Sequence, residues 1–234
     1  MLDYTKIAKI ACSDAYRADA LNDGYRADND CFVLEVSDRT LYIGIAGSGK
    51  QFEDWIENFD GTDSDGVARG FRRPAKKIYK EALRILGSLY TLEEIAKIED
   101  VVVCGHSRGG SIALALVAMY PLLGLPNCAV TFGAPCVFHD EALRDRMRHV
   151  SVCFEHVRDV SIFYSAFAIH RNKTSIPIGK LWNPGHLSWF DILTFWRLII
   201  NYFRSAHSPV GYEIAARRHH QRLIKGLKND STAH

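Results

Sequence analysis

A serine flanked by glycines is the residue of this sequence whose setting best suits chemistry. Ser107 lies at the centre of the segment 105–109 (GHSRG), which has the pattern Gly-x-Ser-x-Gly. A β-branched run precedes it at 100–104, and an Ala/Leu-rich segment follows it at 107–120. These patterns predict a buried parallel strand, a tight turn and a buried helix. A serine on such a turn stands above the sheet edge with a helix N-terminus beneath it, so Ser107 is predicted to be a nucleophile.

A nucleophilic serine needs a base of near-neutral pKa, and three histidines are candidates. His207 precedes Ser-Pro-Val-Gly-Tyr in a loop before the last predicted helix. His170 and His186 remain rivals, since each lies in an irregular segment after Asp159. His106 is part of the turn itself and is predicted to pack or to donate a hydrogen bond rather than to act as the base.

The base in turn needs an acid that holds it in one tautomer. Asp159 follows a predicted strand at 150–157, which places it at the carboxyl end of the sheet, where sites in parallel sheets lie. Asp140 and Asp145 belong to a polar predicted helix and are expected on the solvated surface. The residues therefore predict a catalytic set of Ser107, Asp159 and one of these histidines.

Length and composition predict one globular domain over residues 1–234, with an aromatic helical insertion near 160–206. The chain has 234 residues, of which 47% are hydrophobic and 24% charged, and its formal net charge of +2 does not favour a nucleic-acid binder. Alternating strands and helices between about 100 and 160 predict a parallel, doubly wound sheet. The other predicted helices are 3–20, 50–59, 74–89, 140–148, 188–204 and 210–228, and the other strands are 31–36, 40–45 and 128–132.

The cysteines and the first residues predict a reducing compartment. Six cysteines lie mostly in apolar runs without a CxxC pair, which favours buried free thiols over disulfides or a structural zinc site. Asp3, Lys6 and Lys9 interrupt any apolar stretch of a secretory signal. We therefore expect a cytoplasmic protein, with a location peripheral to a membrane as the alternative.

Three sequence blocks in register resemble the class 3 (fungal-type) lipases, a branch of the α/β-hydrolases. Residues 131–135 (TFGAP) match the family's TFGxP motif, and residues 42–48 (YIGIAGS) followed by Asp54-Trp55 resemble its FRGT-then-DW block. Gly70-Phe71 resembles its HxGF block. The likeness runs from about residue 40 to 215. It implies an α/β-hydrolase fold, with a mostly parallel central sheet flanked by helices.

The resemblance also implies the base and an oxyanion hole. The family's catalytic histidine occupies a loop such as that of His207, often shortly before a tyrosine, so the resemblance favours His207 and completes the set Ser107, Asp159 and His207. The donors of the oxyanion hole would be the backbone N–H of Arg108, which follows the nucleophile, and Ser48, which stands in the place of the FRGT threonine. The sequence departs from the family's usual residues at four positions, none of which removes a group that the chemistry requires. These positions are Ala46 for Arg, Ala68 for His, Arg108 for Leu and Cys136 for Arg.

Two aromatic helices are predicted to border the site. By resemblance, helix 50–59 is a lid with Trp55 and Phe59 on its underside, and the alternative is a fixed helix packed on the core. Helix 188–204 has a narrow polar stripe, so Trp189 and Trp196 belong to a broad apolar surface. That surface can line an acyl pocket, lie on a membrane or pack in the core.

Together these patterns predict a serine hydrolase that cleaves carboxylic esters of lipids in the manner of a triacylglycerol lipase. The chemistry needs no metal or organic cofactor, because an acyl-enzyme on Ser107 forms and hydrolyses with protein groups and water. An esterase, phospholipase or thioesterase of the same fold is the first alternative. A non-catalytic membrane- or protein-binding module is the second. The expected partner is a lipid ester substrate, with contact to a membrane or lipid interface, and no nucleic acid.

Overall fold

The computed structural model describes residues 2–47, 65–135, 137–156, 175–178 and 208–231. Within these ranges the helices are α1 (Tyr4–Lys9), a π-helical segment (Ile10–Asp14), α2 (Ala15–Leu21), α3 (Arg69–Leu89), α4 (Leu92–Ala96), α5 (Arg108–Met119), α6 (Glu141–Met147) and α7 (Pro209–Ser231). The strands are β1 (Tyr25–Ala27), β2 (Asp30–Ser37), β3 (Thr40–Ile45), β4 (Asp100–His106), β5 (Asn127–Phe132), β6 (Ser151–His156) and β7 (Ser175–Ile178).

The seven described strands form one sheet in which strand order follows chain order, from β1 to β7. The first three strands pair antiparallel, and β3 to β7 pair parallel. The mostly parallel sheet flanked by helices is confirmed. The doubly wound strand order is wrong, because alternating strands and helices determine that neighbours run parallel but do not determine on which side each new strand is added.

Helical layers cover both faces of the sheet, and alternate strand residues divide between them as the two-residue period of a strand requires. Leu41, Ile43, Val101 and Val103 pack in one buried cluster with residues of α3, α5 and α6. Tyr42, Val102 and Cys104 pack in a second cluster with residues of α1, the π-helical segment and α7. The N-terminal and C-terminal helices thus share the face opposite the crossover helices.

Several element boundaries differ from the sequence prediction. Helix α3 begins at Arg69 rather than at Pro74, which lies inside the helix and lacks an N–H to donate there, so this proline does not mark the helix start. Strand β1, helix α4 and strand β7 are additional elements of three to five residues. Helix 3–20 is present but is interrupted by the π-helical segment. This segment changes the direction in which Tyr16, two residues later, faces.

The polar face of α7 is less solvated than its sequence suggests. His219 and His220, in a basic stretch typical of a solvated surface, lie against the ring of Tyr4 with centroid separations of 5.9 and 6.4 Å. The Nε2 of His220 is also 3.5 Å from a carboxylate oxygen of Asp3.

Within the described ranges, none of the helices combines the length and the apolar character that crossing a bilayer requires.

The five cysteines in the described ranges are free, as the sequence predicted. Cys12, Cys31, Cys104 and Cys153 are buried and Cys128 is partly buried, while Cys136 lies outside the described residues. Burial raises the pKa of the Cys31 and Cys128 thiols to about 11, so both are protonated at neutral pH.

Candidate active site

Ser107 lies on a strained turn between the end of β4 and the start of α5. Its backbone has φ 55° and ψ −131°, a conformation that costs a residue other than glycine about 1–3 kcal/mol. The N–H of Ser107 donates to the carbonyl oxygen of Phe132 at 2.9 Å, and its own carbonyl accepts from the N–H of Gly110 at 2.9 Å. These bonds to β5 and to the first turn of α5 hold the strained geometry in place. The predicted strand, turn and helix are therefore confirmed around the serine.

Glycine is required at the turn because backbone lies where a side chain would stand. A Cβ added to Gly105 would be 2.4 Å from the carbonyl carbon of Gly109. One added to Gly109 would be 2.3 Å from the carbonyl oxygen of Ile45 and 2.6 Å from that of Ala46. These glycines let the start of α5 approach both β4 and the end of β3, which brings the nucleophile close to the strand that leads to Ser48.

We expect Gly109→Ala to destabilise the fold by about 3 kcal/mol or more, because the new methyl group meets fixed backbone oxygens rather than a side chain that can move. The matched control is Gly87→Ala in helix α3, where an added Cβ meets nothing within 4 Å. That change is expected to stabilise the helix by about 0.5–1 kcal/mol. Urea unfolding of both variants measures the contrast. Equal free energies of unfolding for Gly109→Ala and wild type would contradict the close approach.

The segment 131–135 is joined to α5 directly below the serine. The hydroxyl of Ser111 donates to the carbonyl oxygen of Pro135 at 2.9 Å. Both Ser111 and Pro135 are buried. This bond ties the loop after β5 to the first turn of the helix that follows the nucleophile. It gives the TFGAP segment a structural role beside the turn.

The carboxyl ends of four parallel strands meet at the edge that carries Ser107. In the register of the sheet, Ile45 of β3 lies beside Gly105 of β4, Gly105 beside Thr131 of β5, and Thr131 beside Cys153 of β6. Strand β3 ends at this level, β4 and β5 end one residue beyond it, and β6 continues three residues beyond it to His156. The segments that follow β3, β4 and β6 lead to Ser48, Ser107 and Asp159 in turn.

Of the predicted site residues, the structure describes Ser107 and Arg108. Two described residues adjoin predicted site residues that lie outside the described ranges. Gly47 directly precedes Ser48, and Ser208 directly follows His207. Strand β6 ends at His156, three positions before Asp159. The predicted residues outside the described ranges are Ser48, Asp159, His207, the rival bases His170 and His186, and the lid and pocket residues Trp55, Phe59, Trp189 and Trp196.

The side chain of Arg108 forms a buried ion pair with Asp30 at the start of β2. The guanidinium group is 9% exposed and the carboxylate 8%. Removing one member of such a pair would leave a buried charge, which is strongly destabilising. The pair holds the first residue of α5 against the β1–β2 hairpin, and so gives a structural account of an arginine in the place of the usual leucine. Sequence reasoning missed Asp30, because its partner is 78 positions away in the chain.

His106, the residue before the nucleophile, joins the N-terminal and C-terminal helices to the turn. It is 2% exposed, as expected of a packing and hydrogen-bonding residue. Its Nδ1 lies 2.7 Å from the hydroxyl oxygen of Tyr16 in α2. Its ring also lies beside that of Tyr212 in α7, with centroids 5.4 Å apart. Sequence reasoning missed Tyr16, which no motif marks.

A strained serine at the end of a central parallel strand, with a helix starting directly after it, defines the α/β-hydrolase fold. Comparison with known families agrees with this class and narrows it. The family model described as "Lipase (class 3)" matches residues 43–165, more than half of the chain. The chain belongs to the class 3 lipase family. A comparison with curated protein sequences gives no match.

Solved fungal lipases share the fold at low sequence identity. The lipase of Rhizopus microsporus var. chinensis is 18% identical with a TM-score of 0.52, and the match covers 69% of this chain and 66% of that one. The Rhizomucor miehei lipase propeptide complex is 18% identical with a TM-score of 0.50, covering 70% and 62%. A mutant form of MDLA from Penicillium cyclopium is 18% identical with a TM-score of 0.53, covering 80% and 82%. The chain thus spans less than two thirds of the first two proteins.

Proposed function

We propose that this protein is a serine hydrolase that cleaves carboxylic esters of lipids through a Ser107–His207–Asp159 triad. The strained turn at Ser107 is the observation that carries the proposal. It holds a serine hydroxyl at the carboxyl edge of a parallel sheet and over a helix N-terminus, at a cost in backbone energy that an ordinary turn would avoid. Strain of this kind is retained where the surrounding structure needs that geometry for chemistry.

In the proposed reaction, the Oγ of Ser107 attacks the ester carbonyl carbon while its proton passes to His207. The tetrahedral oxyanion accepts hydrogen bonds from the backbone N–H groups of Arg108 and Ser48. His207 then gives the proton to the departing alcohol, which leaves an acyl-enzyme on Ser107. Water, deprotonated by the same histidine, attacks the acyl carbon and releases the carboxylic acid. Asp159 orients His207 and stabilises its charged form throughout.

The position of helix α7 supports His207 as the base over His170 and His186. Tyr212 lies in the first turns of α7, where its N–H donates to the carbonyl oxygen of Ser208 at 3.2 Å. Four helical residues rise by about 6 Å, so the start of α7 is about one turn from the ring that packs on His106. Ser208, the residue that follows His207, therefore lies close to the nucleophile's strand.

The strand register supports Asp159 as the acid. Strand β6 ends three residues before it, on the same edge of the sheet as Ser107 and two strands away. Asp140 has another role: it is exposed, and its carboxylate caps helix α6 by accepting from the N–H of Leu143 at 2.6 Å. A carboxylate committed to a helix cap is not available to orient a histidine.

A lipid ester is the proposed substrate because the chain belongs to the class 3 lipases and because aromatic residues flank the predicted site. Trp55, Phe59, Trp189 and Trp196 are proposed to contact the acyl chain or a lipid interface. Such a surface gains about 0.8 kcal/mol for each CH₂ group that it buries, so affinity should grow with chain length.

The experiment is hydrolysis of p-nitrophenyl esters from acetate to palmitate, measured in solution and above the solubility limit of each ester. We expect kcat/KM to rise with acyl length. Activity confined to the shortest esters would replace the lipase by a small-ester esterase. Equal inactivity on these esters, on phospholipid and on monoacylglycerol would favour the non-catalytic binding module.

A further inference from the structure

One atom, the hydroxyl oxygen of Tyr16, joins the two chain segments that lead to the predicted oxyanion donors. It lies 2.7 Å from Nδ1 of His106, which precedes Ser107. The backbone of Gly47, which precedes Ser48, lies directly against the same oxygen. Each partner is thus one residue from a predicted site residue, one on the β3 side and one on the β4 side.

The backbone of Gly47 is in close contact with both groups. A Cβ on Gly47 would lie 2.1 Å from the Tyr16 hydroxyl and 2.8 Å from the carbonyl oxygen of His106. The approach is possible because Gly47 has no side chain. The preceding residue, Ala46, is 3% exposed and has no polar side chain with which to anchor this segment. Any polar anchor for it must therefore come from another element.

Tyr16 acts where the sheet no longer holds β3 and β4 together. The register of these strands ends at Ile45 beside Gly105. Beyond this pair, the N–H of Ala46 donates at 3.0 Å to the carbonyl oxygen of Cys31, which belongs to β2 on the side of β3 away from β4. The next residue, Gly47, lies against the Tyr16 hydroxyl, which is hydrogen-bonded to His106. The tyrosine therefore bridges the two chain segments just beyond the last pair of the β3–β4 register.

The direction of these bonds follows from the donors present. Burial, followed by the Cys12 thiol, raises the pKa of Tyr16, so the phenol keeps its proton. That proton points to an acceptor, and Nδ1 of His106 is the acceptor within reach in the part of the chain that the structure describes. The phenol therefore donates to His106 while its oxygen contacts the backbone of Gly47.

The π-helical segment explains how Tyr16 comes to face this point. It ends at Asp14, two residues earlier, and widens one turn of the N-terminal helix by one residue. One extra residue rotates the rest of the helix by about 100° relative to a regular α-helix. Insertions of this kind occur frequently at functional sites.

We infer that Tyr16 is a positioning residue for the oxyanion hole, setting the distance between the backbone of Gly47, which leads to the predicted donor Ser48, and the turn that carries Ser107 and Arg108. This inference rests on the proposed ester hydrolysis, whose oxyanion the two segments would hold. The residue does not contact the substrate. Its hydroxyl fixes two backbones whose N–H groups must point to one oxygen atom.

Tyr16→Phe removes the hydroxyl and keeps the ring that lies beside His106. We expect kcat for p-nitrophenyl esters to fall about 10- to 100-fold with little change in KM, because misplaced oxyanion donors weaken the transition state rather than substrate binding. An alkyl trifluoromethyl ketone, which forms an oxyanion on the serine, should bind more weakly by a similar factor. The matching methyl ketone should bind unchanged. Tyr4→Phe, in the same helical layer, is the control and should leave kcat unchanged.

A second variant keeps the test decisive where Tyr16→Phe folds poorly. Gly47→Ala places a methyl group against the same hydroxyl and should lower kcat in the same selective way. In an active wild-type enzyme, an unchanged trifluoromethyl ketone affinity in the folded variant, or a loss confined to KM, would overturn this inference alone. A wild type that neither hydrolyses esters nor binds the ketone would overturn the proposed function and the inference together.

Discussion

Ser107→Ala is expected to lower kcat for a long-chain p-nitrophenyl ester by about 10⁶-fold, leaving only the residual rate that the oxyanion hole and binding supply. The hydroxyl is the group that forms the acyl-enzyme in the proposed reaction. The fold should not suffer, since the bonds that hold the turn are made by the backbone N–H and carbonyl of residue 107. Alanine in place of serine also leaves the positive φ in place, so the strain is unchanged.

The matched control is Ser88→Ala near the end of helix α3. Its hydroxyl donates within its own helix, to the carbonyl oxygen of Ile85 at 2.8 Å. This variant should keep the wild-type kcat. A Ser107→Ala protein that retained most of its activity while folded would mean that another residue is the nucleophile, and would leave the strained turn without a catalytic explanation.

His207→Ala is expected to lower kcat by about 10⁴- to 10⁶-fold, because the serine then has no base and the leaving alcohol has no acid. The two rival histidines provide matched controls, and His170→Ala and His186→Ala should keep wild-type kcat. Imidazole added to the His207→Ala protein should restore part of the rate if the cavity left by the ring admits it. The measurement is kcat for each variant across pH.

Each outcome of this comparison identifies the base. In wild type, the rate should fall as pH drops through the pKa of the catalytic histidine, because only the neutral ring accepts the serine proton. Loss of activity in His170→Ala or His186→Ala, with His207→Ala active, would contradict the assignment. It would also mean that the entry of α7 beside His106 does not bring the base to the site.

The central part of the fold was predictable because its sequence patterns are local and agree with one another. The β-branched run before Gly105 and the apolar helix after Ser107 indicated the strand, turn and helix that the structure contains. Strands β2 and β3 were equally predictable, since a turn at Asp38 and Arg39 separates two β-rich runs. In these segments, neighbouring residues alone determine the element.

The parts that were not predictable depend on contacts between distant segments. Strand β1 has three residues and is a strand only because it pairs with β2. Strand order required knowledge of where each crossover ends. The ion pair of Arg108 with Asp30 and the bond of Tyr16 to His106 join residues 78 and 90 positions apart. The π-helical segment also leaves no sequence signal, because its residues are as apolar as those of a regular helix.

Covalent labelling tests directly whether Ser107 is the nucleophile of an ester hydrolase. The full chain is incubated with a p-nitrophenyl alkylphosphonate, whose phosphorus is attacked by an activated serine with release of p-nitrophenolate, and the modified peptide is identified by mass spectrometry. We expect a single adduct on Ser107 that is absent from the Ser107→Ala protein. A folded wild type that takes up no phosphonate, or an adduct that persists on another residue in Ser107→Ala, would contradict it.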